Sequence, residues 1–155
     1  MKFLTIALGI FVVLGLSLFL YQMAQSQSTY QGLPTVACLD YTKPVVENFS
    51  FTINIKINGQ NYPLGENIGH DSGNCLHDIF TNDPSGRVFI HSNDKETFTL
   101  GQFFDVWRET FSQKQIFGYQ AINGGQIQVF VDGKAIDTYR DTVLLPNEVI
   151  NIIYK

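Results

Sequence analysis

Apolar and polar residues alternate in the segment from Phe51 to Ile57 and again from Gln126 to Val131. Strict alternation of this kind is typical of strands with one buried face. Asn58-Gly59 follows the first segment and Asp132-Gly133 follows the second, and both dipeptides favour the type I′ turn of a tight hairpin. The pattern therefore predicts two hairpins. Their return strands are Gln60–Leu64 and Lys134–Ile136, and a last strand is predicted over Glu148–Tyr154.

A helical period replaces the alternation between Phe98 and Gln113. Thr99 is a good N-cap residue, and Gln102 three positions later completes a capping box. The apolar stripe of this helix consists of Leu100, Phe103, Phe104, Trp107 and Phe111. The spacing predicts a helix that starts at Leu100 and buries the stripe against a sheet. In the alternative interpretation, Phe104 and Trp107 form a face that binds a partner.

The order of these elements is hairpin, irregular middle, helix, hairpin and final strand. It predicts an α+β domain in which one main amphipathic helix packs on a mixed sheet of about four or five strands. This is the β-grasp, ubiquitin-like arrangement. The middle segment, residues 65–95, is an insertion relative to the simplest version, and we predict a strand at Arg87–His91 within it.

The N-terminal segment has a different character. Phe3–Tyr21 is almost continuously apolar and uncharged, close to the minimum length of a membrane-spanning helix. Lys2 precedes it and the next Lys or Arg is Lys43, which favours an N-terminus inside and the rest outside. We predict a transmembrane signal-anchor over residues 1–23, a tether over 24–35 and an extracytoplasmic domain over 36–155. Cleavage near residues 24–26, leaving a secreted domain, is the alternative.

The formal net charge is −4, and the sequence has no basic cluster and no Gly-rich phosphate loop. These features argue against a role in binding nucleic acids or nucleotides. The cysteines are two, Cys38 and Cys75. An even count in a domain outside the membrane favours a disulfide, with two free buried thiols as the alternative. A metal role for Cys75 with His77 is weaker, because such a pair alone does not make a four-ligand site.

Short motifs spread over most of the domain resemble a family of small, mostly uncharacterised, membrane-anchored extracytoplasmic proteins of archaea and bacteria. The most specific motif is Thr99-Leu100-Gly101-x-Phe103-Phe104-x-x-Trp107. The other matching pieces are the Cys38 region, Ile57-Asn58-Gly59, Asn67-Ile68-Gly69, Cys75, Thr81, Asp83, Ser85-Gly86 and Val131-x-Gly133-Lys134. Members of the family are His-rich at several positions where this chain is not. Those positions here hold Asn48, Ser50, Thr52, Phe80, Asn82 and Phe89. The resemblance therefore implies that a metal site of the family, if it has one, is lost here.

The remaining candidates for a metal are the three histidines, His70, His77 and His91. We expect no catalytic residues and no cofactor, because no acid/base pair or nucleophile motif stands out. Asn48 begins a glycosylation sequon. The sequence thus predicts a non-enzymatic binding or accessory module at the outer face of the cell membrane, with a protein partner in or at the membrane. The alternative is a copper- or zinc-handling domain with a reduced histidine set.

Overall fold

The computed structural model describes residues 36–155. No helix within this range is long and apolar enough to cross a membrane. The anchor predicted over residues 1–23 and the tether predicted over 24–35 lie outside the described residues.

The described chain is an α+β structure with one α-helix on a mostly-strand sheet. The strands are β1 (Glu47–Ile57), β2 (Gln60–Tyr62), β3 (His70–Asp71), β4 (Cys75–Leu76), β5 (Ile79–Phe80), β6 (Arg87–Ser92), β7 (Gln115–Ile116), β8 (Tyr119–Gln120), β9 (Ile127–Val131), β10 (Lys134–Ile136) and β11 (Val149–Tyr154). The helix is α1 (Leu100–Trp107), and a short 3-10 helix covers Tyr139–Asp141.

Seven strands form one mixed sheet in the order β10-β9-β11-β1-β6-β5, with β2 also paired to β1. Strands β1 and β11 are parallel, and the other pairs are antiparallel. The long β1 pairs with β6 through its first half and with β2 through its last residues, so both partners share one edge of β1. The sheet is larger than predicted because the middle segment adds β5 and β6 to it.

Both predicted hairpin turns are confirmed. Asn58 and Gly59 have φ angles of 51° and 81°, and Asp132 and Gly133 have 49° and 81°. Type I′ turns require positive φ at both central residues, which Asn, Asp and Gly adopt at low cost. These turns fix the register of β1 with β2 and of β9 with β10.

The helix starts where the sequence predicts, with the Thr99–Gln102 capping box formed. It ends earlier than the apolar stripe suggests. Arg108 adopts a left-handed conformation with φ 61°, and its N–H bonds to the carbonyls of Phe104 and Asp105. The chain then reverses, so that the Phe111 ring stacks on Phe104 with 4.4 Å between centroids. Phe111 therefore belongs to the apolar core without belonging to the helix.

The core lies between the sheet on one side and, on the other side, the helix and the segment that follows it. Every second residue of β1 from Phe51 to Ile57 is buried, together with Ile150 and Ile152 of β11. These side chains share one apolar cluster with the helix residues Phe103 and Phe104. The intervening residues of the central strands point to the opposite side of the sheet. We call that side the open face.

Candidate functional site

A disulfide joins Cys38 and Cys75, with 5.2 Å between their Cα atoms and a separation of 37 positions in sequence. The predicted bridge is thus present. The segment around Cys38 is also held by the backbone, because the Leu39 N–H donates to the Leu76 carbonyl at 2.7 Å. Cys38 is exposed, Cys75 is half-buried and the neighbouring His77 is buried.

The hairpin of β3 and β4 brings Asp71 beside this disulfide, because Asp71 and Cys75 are paired across the two strands. Gly69 fixes the start of the hairpin. It has φ 82°, and its carbonyl accepts a hydrogen bond from the His77 N–H at 2.8 Å. A side chain at this position would collide with the Ile79 carbonyl oxygen, so only glycine fits.

The His77 imidazole is held at both nitrogens. Its Nδ1 lies 2.9 Å from the Val36 carbonyl oxygen, and its Nε2 lies 3.2 Å from Asp71 Oδ2. Since a carbonyl only accepts, Nδ1 carries hydrogen and donates. Cys75 Sγ lies 3.8 Å from the same Nε2. The ring is therefore oriented with Nε2 towards a carboxylate and a sulfur atom.

Arg108 completes this group of side chains. Its Nη2 lies 2.7 Å from Asp71 Oδ2, the oxygen that also faces His77. The left-handed C-cap of α1 positions Arg108 here, because it turns the chain out of the helix at this residue. We call Cys38, Cys75, His77, Asp71 and Arg108 the disulfide cluster.

The ligand atoms of Cys38, Cys75 and His77 lie within 4.8 Å of one another, which is the only such group of potential metal ligands in residues 36–155. An open cleft of about 500 Å³ lined by Tyr41, Asp71 and Cys75 gives solvent access to it. Of this group, the sequence suggests only Cys75 and His77 as metal ligands, because Cys38 and Asp71 join them through tertiary contacts. The even cysteine count, combined with the C-x-H spacing, was the available signal.

The other two histidines do not join this cluster. His70 and His91 both contact the edge of the Phe80 ring, with 5.7 and 5.0 Å between ring centroids. His91 also neighbours Phe89, whose ring stacks on Phe80 at 5.4 Å. The three histidines therefore do not form one ligand set in the described part of the chain, because His77 packs at the disulfide and the others pack around an aromatic ring.

The positions singled out by the resemblance on the strands, Asn48, Ser50, Thr52, Phe80 and Phe89, lie on the neighbouring strands β1, β5 and β6. Asn48 is paired with His91, Ser50 with Phe89 and Thr52 with Arg87. Phe80 is paired with Phe89 on the other side of β6. This region carries two stacked phenyl rings, those of Phe80 and Phe89, and small polar groups. Asn82 lies just beyond β5 and is exposed.

The open face also carries positive charge. The Arg87 guanidinium lies 5.4 Å from the centroid of the Phe89 ring and donates to Ser50 Oγ at 3.0 and 3.2 Å. Lys56 of β1 is exposed on the same face. Neither cation forms an ion pair with a carboxylate of residues 36–155.

The helix stripe is not available as a partner face. Phe104 is fully buried, with a relative exposure of 0%. Trp107 is half-buried and packs on the core, where its ring contacts those of Phe103, Phe104 and Phe117. The segment after the helix folds over these rings and occupies the side on which the alternative interpretation placed a partner.

Asp78, next to His77, is a buried carboxylate with one oxygen, Oδ1, that has no hydrogen-bond partner in the described residues. Burial raises its pKa above the ordinary value of 3.8, and the charges of Glu96 and Asp94 raise it further. A hydrogen bond with Ser92 and the charge of His77 act in the opposite direction. The folded protein therefore binds a proton here more tightly than the unfolded chain does.

We expect Asp78→Asn to stabilise the protein more at neutral pH than below pH 3.8. Below the pKa that Asp78 has in the unfolded chain, its carboxyl is protonated in both states, so its ionisation does not change the stability. As the pH rises from this value to the higher pKa of the folded state, Asp78 ionises first in the unfolded chain. The wild type therefore loses stability, and the Asp78→Asn variant, whose amide does not ionise, does not. Denaturant unfolding over this pH range measures the difference. Asp137→Asn, at an exposed position away from Asp78, is the control, and an equal pH dependence in the Asp78→Asn and wild-type proteins would contradict the prediction.

Comparisons of the chain with protein-family models, with curated proteins and with solved structures found no match.

Proposed function

We propose that this protein is a non-enzymatic binding or accessory module whose domain, residues 36–155, contacts a protein partner through the open face of its sheet. The segment 1–23 anchors it in the cell membrane with the N-terminus inside and the domain outside. The observation that carries the proposal is the open face itself, where Asn54 and Lys56 are exposed, while the opposite face is closed by the helix.

We also propose that the domain is β-grasp-like. Five strands follow the order β2-β1-β11-β9-β10, in which the first and last strands of the domain are parallel neighbours. The β1–β2 hairpin supplies one strand of this central pair, and the β9–β10 hairpin lies beside the other strand. In sequence, α1 lies between the two hairpins. Strands β5 and β6 then extend the sheet beyond the simplest β-grasp arrangement, and they supply the aromatic part of the open face.

The character of the open face favours an acidic protein surface as partner. Arg87 and Lys56 are exposed cations on it, although the whole chain has a net charge of −4. Apolar side chains lie between and around them, including Phe89 of β6 and Phe130 and Ile153 of the strands beyond β1, all half-buried. Aromatic side chains beside arginine are enriched in protein interfaces, and complementary charge guides association.

We expect one membrane protein to co-purify with the full-length chain from native membranes. The double charge reversal Arg87→Glu with Lys56→Glu should abolish this co-purification. The two cations lose their attraction to the acidic partner, and two repulsive contacts replace it. The measurement is the amount of that partner recovered per chain, at low and at high salt. The wild-type chain should recover it in a near-equal amount to itself. Recovery should fall with salt because the attraction is screened.

Lys114→Glu provides the control, since Lys114 is exposed in the segment after the helix, away from the open face. This variant should retain the partner. Equal recovery with the open-face double variant and with Lys114→Glu would contradict the proposal.

A further inference from the structure

The His77 ring is oriented as a metal ligand is. Its Nδ1–H donates to the Val36 carbonyl at 2.9 Å, which leaves the Nε2 lone pair of the neutral ring directed at Asp71 Oδ2, 3.2 Å away. Two acceptors at this distance repel each other unless a proton or a metal cation lies between them. Metal-binding histidines are commonly fixed by such a bond from the other ring nitrogen to a backbone carbonyl.

The sulfur atoms of the disulfide lie where further ligands are needed. In a tetrahedral zinc site, bond lengths of about 2.0–2.3 Å place the ligand atoms about 3.3–3.8 Å apart. Cys75 Sγ is already 3.8 Å from His77 Nε2, and Cys38 Sγ is within 4.8 Å of Cys75 Sγ and of a His77 ring nitrogen. While the sulfurs are bonded to each other they offer no thiolate. Reduction supplies both thiolates and lets the sulfurs separate to this spacing.

The charges of the cluster also match a divalent cation. Two thiolates and the Asp71 carboxylate contribute three negative charges. Zn²⁺ and the Arg108 guanidinium, 2.7 Å from Asp71, contribute three positive charges. The occupied site is therefore neutral. This matters because His77 is buried and an unbalanced charge beside it is costly.

We propose that reduction of the Cys38–Cys75 disulfide turns the disulfide cluster into a binding site for one thiophilic divalent cation of the Zn²⁺ type, with Cys38, Cys75, His77 and Asp71 as ligands. Two thiolates, an imidazole and a carboxylate are a ligand set that suits Zn²⁺. The site is distinct from the open face and does not depend on the contact function proposed above.

The redox step uses a protein dithiol, the reactive group of thiol–disulfide oxidoreductases. One of its thiolates attacks the exposed Cys38 sulfur, the sulfur–sulfur bond breaks, and Cys75 leaves as a thiolate. The second thiol of the reductant displaces Cys38, so the reductant leaves as a disulfide and two electrons reach the protein sulfurs. When Zn²⁺ binds, the two thiols release their protons to the solvent. The reverse exchange, with the disulfide form of the same class of protein dithiol accepting the two electrons, joins the sulfurs again and releases the metal.

Co²⁺ is the spectroscopic probe, because it occupies tetrahedral thiolate sites and gives strong thiolate-to-metal absorption. The full-length chain in detergent is reduced with a trialkylphosphine, which becomes the phosphine oxide with water as the oxygen source. We expect the reduced chain to bind one Co²⁺ per chain, and Zn²⁺ to displace it with micromolar or tighter affinity. Bound Zn²⁺ should protect both cysteines from alkylation. The oxidised chain should give no thiolate-to-cobalt absorption.

Asp71→Asn tests the fourth ligand without removing a buried ring, and we expect it to weaken Zn²⁺ binding roughly 10-fold or more. His77→Ala should weaken it further, to the limit of detection. His70→Ala is the matched control, since His70 lies beside Asp71 in sequence and faces Phe80, and this variant should bind as the wild type does.

The absence of stoichiometric Co²⁺ or Zn²⁺ uptake by the reduced, folded wild type would overturn the proposal. The proposal would also be overturned if neither substitution weakened binding. In that case Asp71→Asn would bind Zn²⁺ as tightly as the wild type, and His77→Ala as tightly as His70→Ala. Uptake of similar affinity by the oxidised chain would overturn the dependence on reduction.

Discussion

Phe104→Ala is expected to lower the free energy of unfolding by about 3–5 kcal/mol. The Phe104 ring is fully buried at the centre of an aromatic group. It stacks on Phe111 at 4.4 Å and lies within about 6 Å, centroid to centroid, of three further aromatic rings. Replacement by alanine leaves a cavity in the layer that joins the helix to the sheet, and the neighbouring rings cannot close it without leaving their own contacts.

Denaturant unfolding of the full-length chain in detergent, followed by Trp107 fluorescence and by circular dichroism, measures this loss. Leu145→Ala is the control, because Leu145 is 51% exposed and its truncation should change stability by less than about 0.5 kcal/mol. A Phe104→Ala variant as stable as Leu145→Ala would show that the helix stripe is not part of the core. That result would reopen the interpretation of Phe104 and Trp107 as a partner-binding face.

Removal of the disulfide in the double variant Cys38→Ala with Cys75→Ala is expected to cost about 4 kcal/mol. The bridge closes a loop of 37 residues, and the estimate comes from the conformational freedom that the unfolded chain regains without it. The start of the domain is also held by backbone hydrogen bonds of Leu39 to Leu76 and of Asp78 to Ala37, and by the burial of Val36 and Leu39.

The measurement for the disulfide is the unfolding free energy of the wild type with and without reductant, compared with that of the double variant. Thiol labelling of the denatured, unreduced wild type should detect no free cysteine in this pair. Two labelled cysteines would contradict the disulfide. An unreduced wild type no more stable than the double variant would instead show that the bridge does not constrain the unfolded chain.

Local patterns determined much of this protein before any tertiary contact was known. The alternation in β1, the turns at Asn58-Gly59 and Asp132-Gly133, and the capping box at Thr99 each act within a few residues, so the sequence alone predicts their conformation. The same holds for the apolar stripe of the helix, because its spacing depends only on the helical repeat. The even cysteine count predicted the pairing, since only one pair can form between two cysteines.

Only the tertiary structure decided where the helix ends, how large the sheet is and which groups meet at the disulfide. The helix ends at a left-handed Arg108 although the apolar period continues to Phe111, and the chain beyond it folds back so that the Phe111 ring stacks on Phe104. Strand β5 is only two residues long, and β6, although predicted as a strand, pairs with β1 across tens of residues of sequence. The cluster of Cys38, Asp71, His77 and Arg108 joins four separate segments. No local period records such contacts, since they depend on packing across the whole domain.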